Sequence, residues 1–176
     1  SASERNEHLD RALEYFRKAE EGGRSLDRVY AQMGDCHFFK GDMARAMEYS
    51  QKSIAMNKKE LRPYSRIYSI YIKEGKNDKA AEILAEYLKV VPDSAQVEFA
   101  LGEHYLKYQK DNARAKQSFN RVVELSRSSG AEDYYTENAL FYLGYIHYGE
   151  NDYDRALSRF EEALEQWDAL AALAPE

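Results

Sequence analysis

Apolar residues recur along this chain every three to four positions, the spacing of one face of an α-helix, from Leu9 through Ala174. Only nine Gly and three Pro punctuate the stripes, mostly between periodic stretches, so the pattern predicts an all-α chain. One phrase comes back: an Ala, then a residue four positions on that is apolar or aromatic in every copy but the second, then a further packing residue three beyond. It reads Ala12, Phe16, Ala19; Ala46, Ser50, Ser53; Ala80, Leu84, Tyr87; Ala115, Phe119, Val122; and Ala156, Phe160, Ala163. Successive first alanines stand 34, 34, 35 and 41 residues apart. A fixed period of this size predicts stacked supersecondary units.

A second signature precedes each phrase after the first: Met33-Gly34 with His37, Ile67-Tyr68 with Tyr71, Leu101-Gly102 with Tyr105, and Leu143-Gly144 with His147. Between the two signatures lies a breaker, Gly41-Asp42, Gly75-Lys76-Asn77, Asp111-Asn112 or Asn151-Asp152. Gly at such a place ends one helix in a left-handed cap, and Asp or Asn accepts from the N–H groups that open the next. Each unit is therefore expected to be a helical hairpin.

These residues resemble the tetratricopeptide repeat, whose pattern is W-x2-L-G-x2-Y, then A-x3-F, then P. The tryptophan position holds Tyr64 and Leu140, the Leu-Gly pair is literal at Leu101-Gly102 and Leu143-Gly144, and the closing proline is literal at Pro92 but replaced by Lys58 one repeat earlier. The resemblance implies a right-handed α-solenoid of antiparallel hairpins over residues 1–176. A lone second helix is expected at 4–23, full repeats at 25–57, 60–92, 95–128 and 131–166, and a helical extension at 167–175. The last interval adds seven residues to the period, which predicts a lengthened helix pair. The final stripe continues through Trp167, Leu170 and Ala171, leaving an apolar edge where terminal repeats usually turn a polar face outward.

Composition narrows the function classes. The formal charge is −6 with Lys and Arg interspersed among Asp and Glu, which supplies no basic footprint for nucleic acid. No stretch approaches the roughly 18 apolar residues of a membrane span. A single Cys, Cys36, rules out an internal disulfide and leaves the compartment open, with the cytoplasm favoured. The start at Ser-Ala-Ser is expected of a processed or excised form, and a removed signal peptide would leave no trace. His37 and His147 fall where the family places Tyr, and His104 with Glu103 lacks the spacing of a zinc motif. No metal, cofactor or catalytic residue is expected.

The resemblance further implies a protein-interaction scaffold whose first helices line a concave groove. The implied contact residues are Arg28, Asp35 and Phe39, then Arg62, Arg66 and Lys73, then Phe99, Glu103 and Lys107, and finally Phe141, Tyr142, Tyr145 and Tyr148. The last four sit in an unusually Tyr-rich helix, which is expected either to supply extra packing or to form an aromatic floor for a partner. With the Arg and Lys residues beside it, the floor would suit an acidic or aromatic-rich peptide or helix. The family's carboxylate clamp is disfavoured, because its positions read Ala31, Asp35, Arg66, Gln96 and Ala100. Two alternatives stay open: a homo-oligomer joined through Leu13, Phe16, Trp167 and Leu170, and a regulatory segment of a larger protein.

Overall fold

A computed structural model describes residues 2–23, 25–129 and 134–173, with side chains through Trp167. Among the described residues the regular structure is all helix, in two compact units, Ser1–Val91 and Pro92–Glu176. The all-α class that the spacing predicts is the class observed.

The first unit holds α1 (Ala2–Glu21) and two hairpins, α2 (Leu26–Lys40) with α3 (Met43–Met56) and α4 (Leu61–Lys73) with α5 (Asn77–Val90). The alanines of the repeated phrase are the contact points between paired helices: Ala46 and Ala80 are fully buried. A small residue at the crossing lets two helix axes approach closely, and Gly34 is seated so near α3 that a Cβ there would lie 2.9 Å from Ser50 Oγ. Where the closing proline is replaced by Lys58, side chains hold the chain. Asn57 Nδ2 donates to Asp27 at 3.0 Å, and Ser53 Oγ donates to the Asp27 carbonyl at 2.7 Å.

The second unit holds α6 (Ala95–His104), a π-helical turn (Tyr105–Gln109), α7 (Asn112–Ser129), α8 (Tyr134–Gly149) and α9 (Tyr153–Leu173). Its core gathers Phe99, Phe119, Val122, Leu140, Leu143 and Ile146. The long interval before Ala156 goes partly into α7, which has 18 residues against 14 in α3 and in α5.

All four hairpin turns use one device. One or two residues past the end of each first helix the chain turns left-handed: Gly41 at φ 85°, Gly75 at 70°, Lys110 at 55° and Asn151 at 62°. The next N–H then reaches back to a helix carbonyl five residues earlier, Asp42 to His37 (2.9 Å), Lys76 to Tyr71 (2.8 Å) and Asp152 to His147 (2.9 Å). In the third hairpin Asp111 reaches six residues back, to Tyr105 (3.0 Å). The π-helical turn takes up that additional residue, which is the physical meaning of the 35-residue spacing.

Asp42, Asp111 and Asp152 each cap the following helix, accepting from the N–H of Arg45 (3.1 Å), Arg114 (2.9 Å) and Arg155 (3.3 Å). The second turn differs from expectation. Asn77 is the first residue of α5, and the cap position falls to Lys76, whose side chain makes no cap bond.

Lys110 is the least suited residue to its left-handed site, since a Cβ there crowds the following carbonyl and Gly has none. Lys110→Gly is expected to stabilise the second unit by about 0.5–1 kcal/mol, the relief of strain less the entropy of an added Gly. Urea unfolding checks this. A loss of stability would mean that the lysine side chain contributes more than its backbone costs.

Candidate interaction surfaces

In the first unit two of the expected contact residues meet on the carboxylate of a third. Asp35, on α2, is 8% exposed, and its two oxygens each accept from one arginine of α4: Oδ2 from Arg62 Nε and Oδ1 from Arg66 Nε, both at 2.7 Å. The guanidinium carbon of Arg66 lies 4.1 Å from the ring centroid of Phe38 and 4.9 Å from that of Phe39. Lys73 Nζ lies 4.1 Å from the centroid of Phe38. Such cation–π contacts and the shared carboxylate leave little freedom to Arg66, whose side chain is 16% exposed. Arg62 is 56% exposed, and its bond to Asp35 is made by Nε. Phe39 and Arg28 are exposed. The cluster formed by one carboxylate and two guanidinium groups carries a net charge of +1, against the purely cationic wall that Arg62 and Arg66 would form alone.

In the second unit the structure divides the residues expected to line the groove. Phe99 is buried in the core, 5.6 Å from Phe119 between ring centroids. Tyr142 turns inward as well, stacked on Phe119 at 5.1 Å with the rings 4° from parallel, and its hydroxyl donates to Glu103 at 3.2 Å. Burial, followed by the Glu103 carboxylate, holds the Tyr142 phenol above its ordinary pKa. Neither Phe99 nor the Tyr142 ring is an open contact, because α8 closes over α6 and α7 at this point. Phe141, Tyr145 and Tyr148 are open instead, as is Tyr134, and Glu103 and Lys107 are exposed on α6 and the π-helical turn. The Tyr-rich helix thus contributes Tyr142 to packing and leaves Phe141, Tyr145 and Tyr148 exposed.

The terminal residues also separate. Leu13 is buried among Val29, Met33 and Cys36, with Phe16 packed beside it, so the α1 stripe is used inside the unit. Trp167 is 57% exposed on α9. The Leu170 side chain lies outside the described residues.

The groups with chemical potential have structural surroundings. Cys36 is buried, and burial pushes its thiol above the usual value. His37 stacks on Tyr49 at 5.3 Å, with Nδ1 3.6 Å from the Asp42 carboxylate; burial lowers its pKa against the opposing pull of that carboxylate. No group of three or more His, Cys, Asp or Glu among the described residues is placed to hold a metal ion. No described helix is long and apolar enough to cross a membrane.

The Asp35 bridge was hidden from sequence inspection because its partners stand 27 and 31 residues away, on a helix one repeat later. A charge search from one repeat period down to two helical turns short of it would have found both arginines.

Comparison with known proteins agrees with this architecture. The tetratricopeptide repeat matches residues 27–60 and again 93–169, together well over half of the chain. The BBSome complex member BBS4 homolog of Drosophila melanogaster is 25% identical over 94% of this chain and 35% of its own length. The protein CTR9 homolog of Arabidopsis thaliana is 24% identical over 77% of this chain and 12% of its own. The chain thus spans about a third or less of these curated relatives. Among solved structures, MamA superposes with a TM-score of 0.72 at 16% identity, covering 93% of this chain and 91% of that one. BtubC (BKLC) from P. vanneervenii gives 0.72 at 20%, covering 94% and 73%. These likenesses establish the fold. With its period, its close-packed Gly and Ala crossings and its repeated turn device, the chain belongs to the tetratricopeptide repeat family of protein-interaction scaffolds.

Proposed function

We propose that the protein binds a peptide or a helix of a partner protein along the open faces of its first helices, without catalysing a reaction. The observation that carries this is the Asp35 cluster. Two guanidinium groups fixed by a buried carboxylate, beside exposed Phe39, form a preorganised site for an acidic or aromatic-rich segment, and preorganisation lowers the entropy cost of binding. Tyr145 and Tyr148 add exposed aromatic area on α8, and Tyr and Arg are the residue types that most often anchor interfaces. That one relative is named as a member of a complex favours the same reading.

Capture from a lysate of the native host, followed by mass spectrometry, tests it. Arg62→Ala and Tyr145→Ala replace exposed side chains, so both variants should fold as the wild type does, yet each should lose most of the captured partner, at about 1–2 kcal/mol per anchor. Retention of every partner by both variants would remove these faces from the mechanism. Self-association is the second reading, and exposed Trp167 favours it. Since Leu13 is enclosed by its own unit, it would run through α9 alone, and a strict monomer in sedimentation at high concentration would exclude it.

A further inference from the structure

The outer side of α6 and α7 and the outer side of α8 and α9 are two copies of one surface, and only the first is covered. Counted from the close-packed Ala115 and Ala156, Phe119 corresponds to Phe160, Val123 to Leu164 and Ser126 to Trp167; counted from Gly102 and Gly144, Phe99 corresponds to Phe141. The geometry follows the correspondence. The Phe99 and Phe119 rings lie 5.6 Å apart at 58°, and those of Phe141 and Phe160 lie 5.6 Å apart at 53°. Over the first pair sits α8, with Tyr142 stacked on Phe119 and Tyr135 5.7 Å from Phe99.

Nothing described lies over the second pair. Phe99 is 7% exposed and Phe141 52%; Val123 is 4% exposed and Leu164 62%. Phe141, Phe160, Ala163, Leu164 and Trp167 line an open cleft. The bare copy is also the more apolar of the two. Where Lys116 on α7 donates to Glu150 at 2.6 Å, the matching residue on α9 is Leu157, 58% exposed.

Charge indicates what covers it. At 100° per residue, Asp154, Glu161 and Glu165 fall along one edge of the stripe made by Leu157, Phe160, Leu164 and Trp167. All three are exposed. An antiparallel two-fold pairing of α9 with a second copy would bring two such acidic edges together, which argues for an occupant of opposite charge.

We propose that this face receives an amphipathic α-helix of a partner protein, seated as α8 is seated on α7. An aromatic residue of that helix stacks on Phe160, and lysines or arginines run along the edge of Asp154, Glu161 and Glu165. The surface is distinct from the Asp35 cluster and does not depend on it.

Trp167 is the single Trp of the chain, so its emission reports directly on occupancy. The probe is a synthetic helical peptide of 16 residues, the length of α8, that keeps the spacing of Tyr135, Ala139 and Tyr142 and carries lysine at the solvent positions. A second peptide carries glutamate there. The lysine peptide is expected to shift Trp167 emission to the blue. Leu164→Asp and the change to the glutamate peptide should each weaken binding by about tenfold or more, or about 1.4 kcal/mol. No shift at roughly 1 mM peptide, the weak limit of specific binding, would overturn the proposal. So would an unchanged response in Leu164→Asp, or equal binding of the glutamate peptide. A blue shift that grows with protein concentration alone, with dimers in sedimentation, would give the face to a second copy and overturn it equally.

Discussion

Gly102→Ala is expected to destabilise the second unit by about 2 kcal/mol, whereas Gly144→Ala at the matching position should cost under about 1 kcal/mol. Both substitutions create the same collision on paper. A Cβ at Gly102 would lie 2.5 Å from Phe119 Cε1, and one at Gly144 would lie 2.7 Å from Phe160 Cε1. The difference lies in where the ring can go. Phe119 is fully buried, stacked on Tyr142 and wedged against Phe99, so its displacement moves three rings in the core. Phe160 borders the open cleft of α9 and can swing outward into it. Alanine's better helix propensity returns up to about 1 kcal/mol in each case, so the difference between the two isolates packing. Gly144→Leu and Ala156→Leu should cost roughly 1–3 kcal/mol, because a full side chain exceeds what the ring can concede. Urea unfolding of the variants measures all four. Equal losses for Gly102→Ala and Gly144→Ala would show that the open cleft grants no relief.

Asp35→Ala should lower the stability of the first unit by about 2–4 kcal/mol. The loss is mostly the strain of leaving Arg66, 16% exposed, without its counter-charge, while Arg62, at 56%, rehydrates and contributes little. Two further variants separate that cause from general damage. Arg66→Met alone should cost less than Asp35→Ala, since an apolar chain can lie on Phe38. Adding Arg66→Met to Asp35→Ala should recover most of the loss, because no buried charge then remains. Should the double variant be as unstable as the sum of the singles, the bridge has no energetic role of its own. The same series affects binding: with Asp35 removed, the arginines gain freedom as well as net charge, so an acidic probe should bind with a larger salt dependence.

How much of this was legible in the chain depends on the range of the interaction. Helix class and turn positions are local matters of apolar spacing and of Gly41, Gly75 and the capping aspartates, and they stand in the sequence. The interval of 35 residues announced one additional residue, but only the hydrogen bond from Asp111 to Tyr105 shows that a π-helical turn absorbs it. Phe99 occupies a groove position by family pattern and is nonetheless buried, because Tyr135 and Tyr142 arrive from α8 to cover it. Leu13 is enclosed for the same reason by α2. Asp35 could be recognised as polar and on the first helix, but its two partners come from another helix, and burial of a carboxylate is decided by such partners. Residues whose surroundings are local could be placed; those whose surroundings come from the next hairpin could not.

The π-helical turn changes how the whole chain should be numbered against its relatives. Counted forward from Gly102, Lys107 is the fifth residue on; counted back from Asp111, it matches the residue four after the small position in the other hairpins. Both counts are correct on their own side of the bulge, so any residue-by-residue transfer of roles breaks phase there by one position. Relative to the other hairpins the turn is an insertion of one residue that stays local, since the cap at Asp111 and the crossing at Ala115 keep their places. A repeat array that can absorb such an event within one helical turn can change the aim of its surface residues without redesigning the scaffold beneath them.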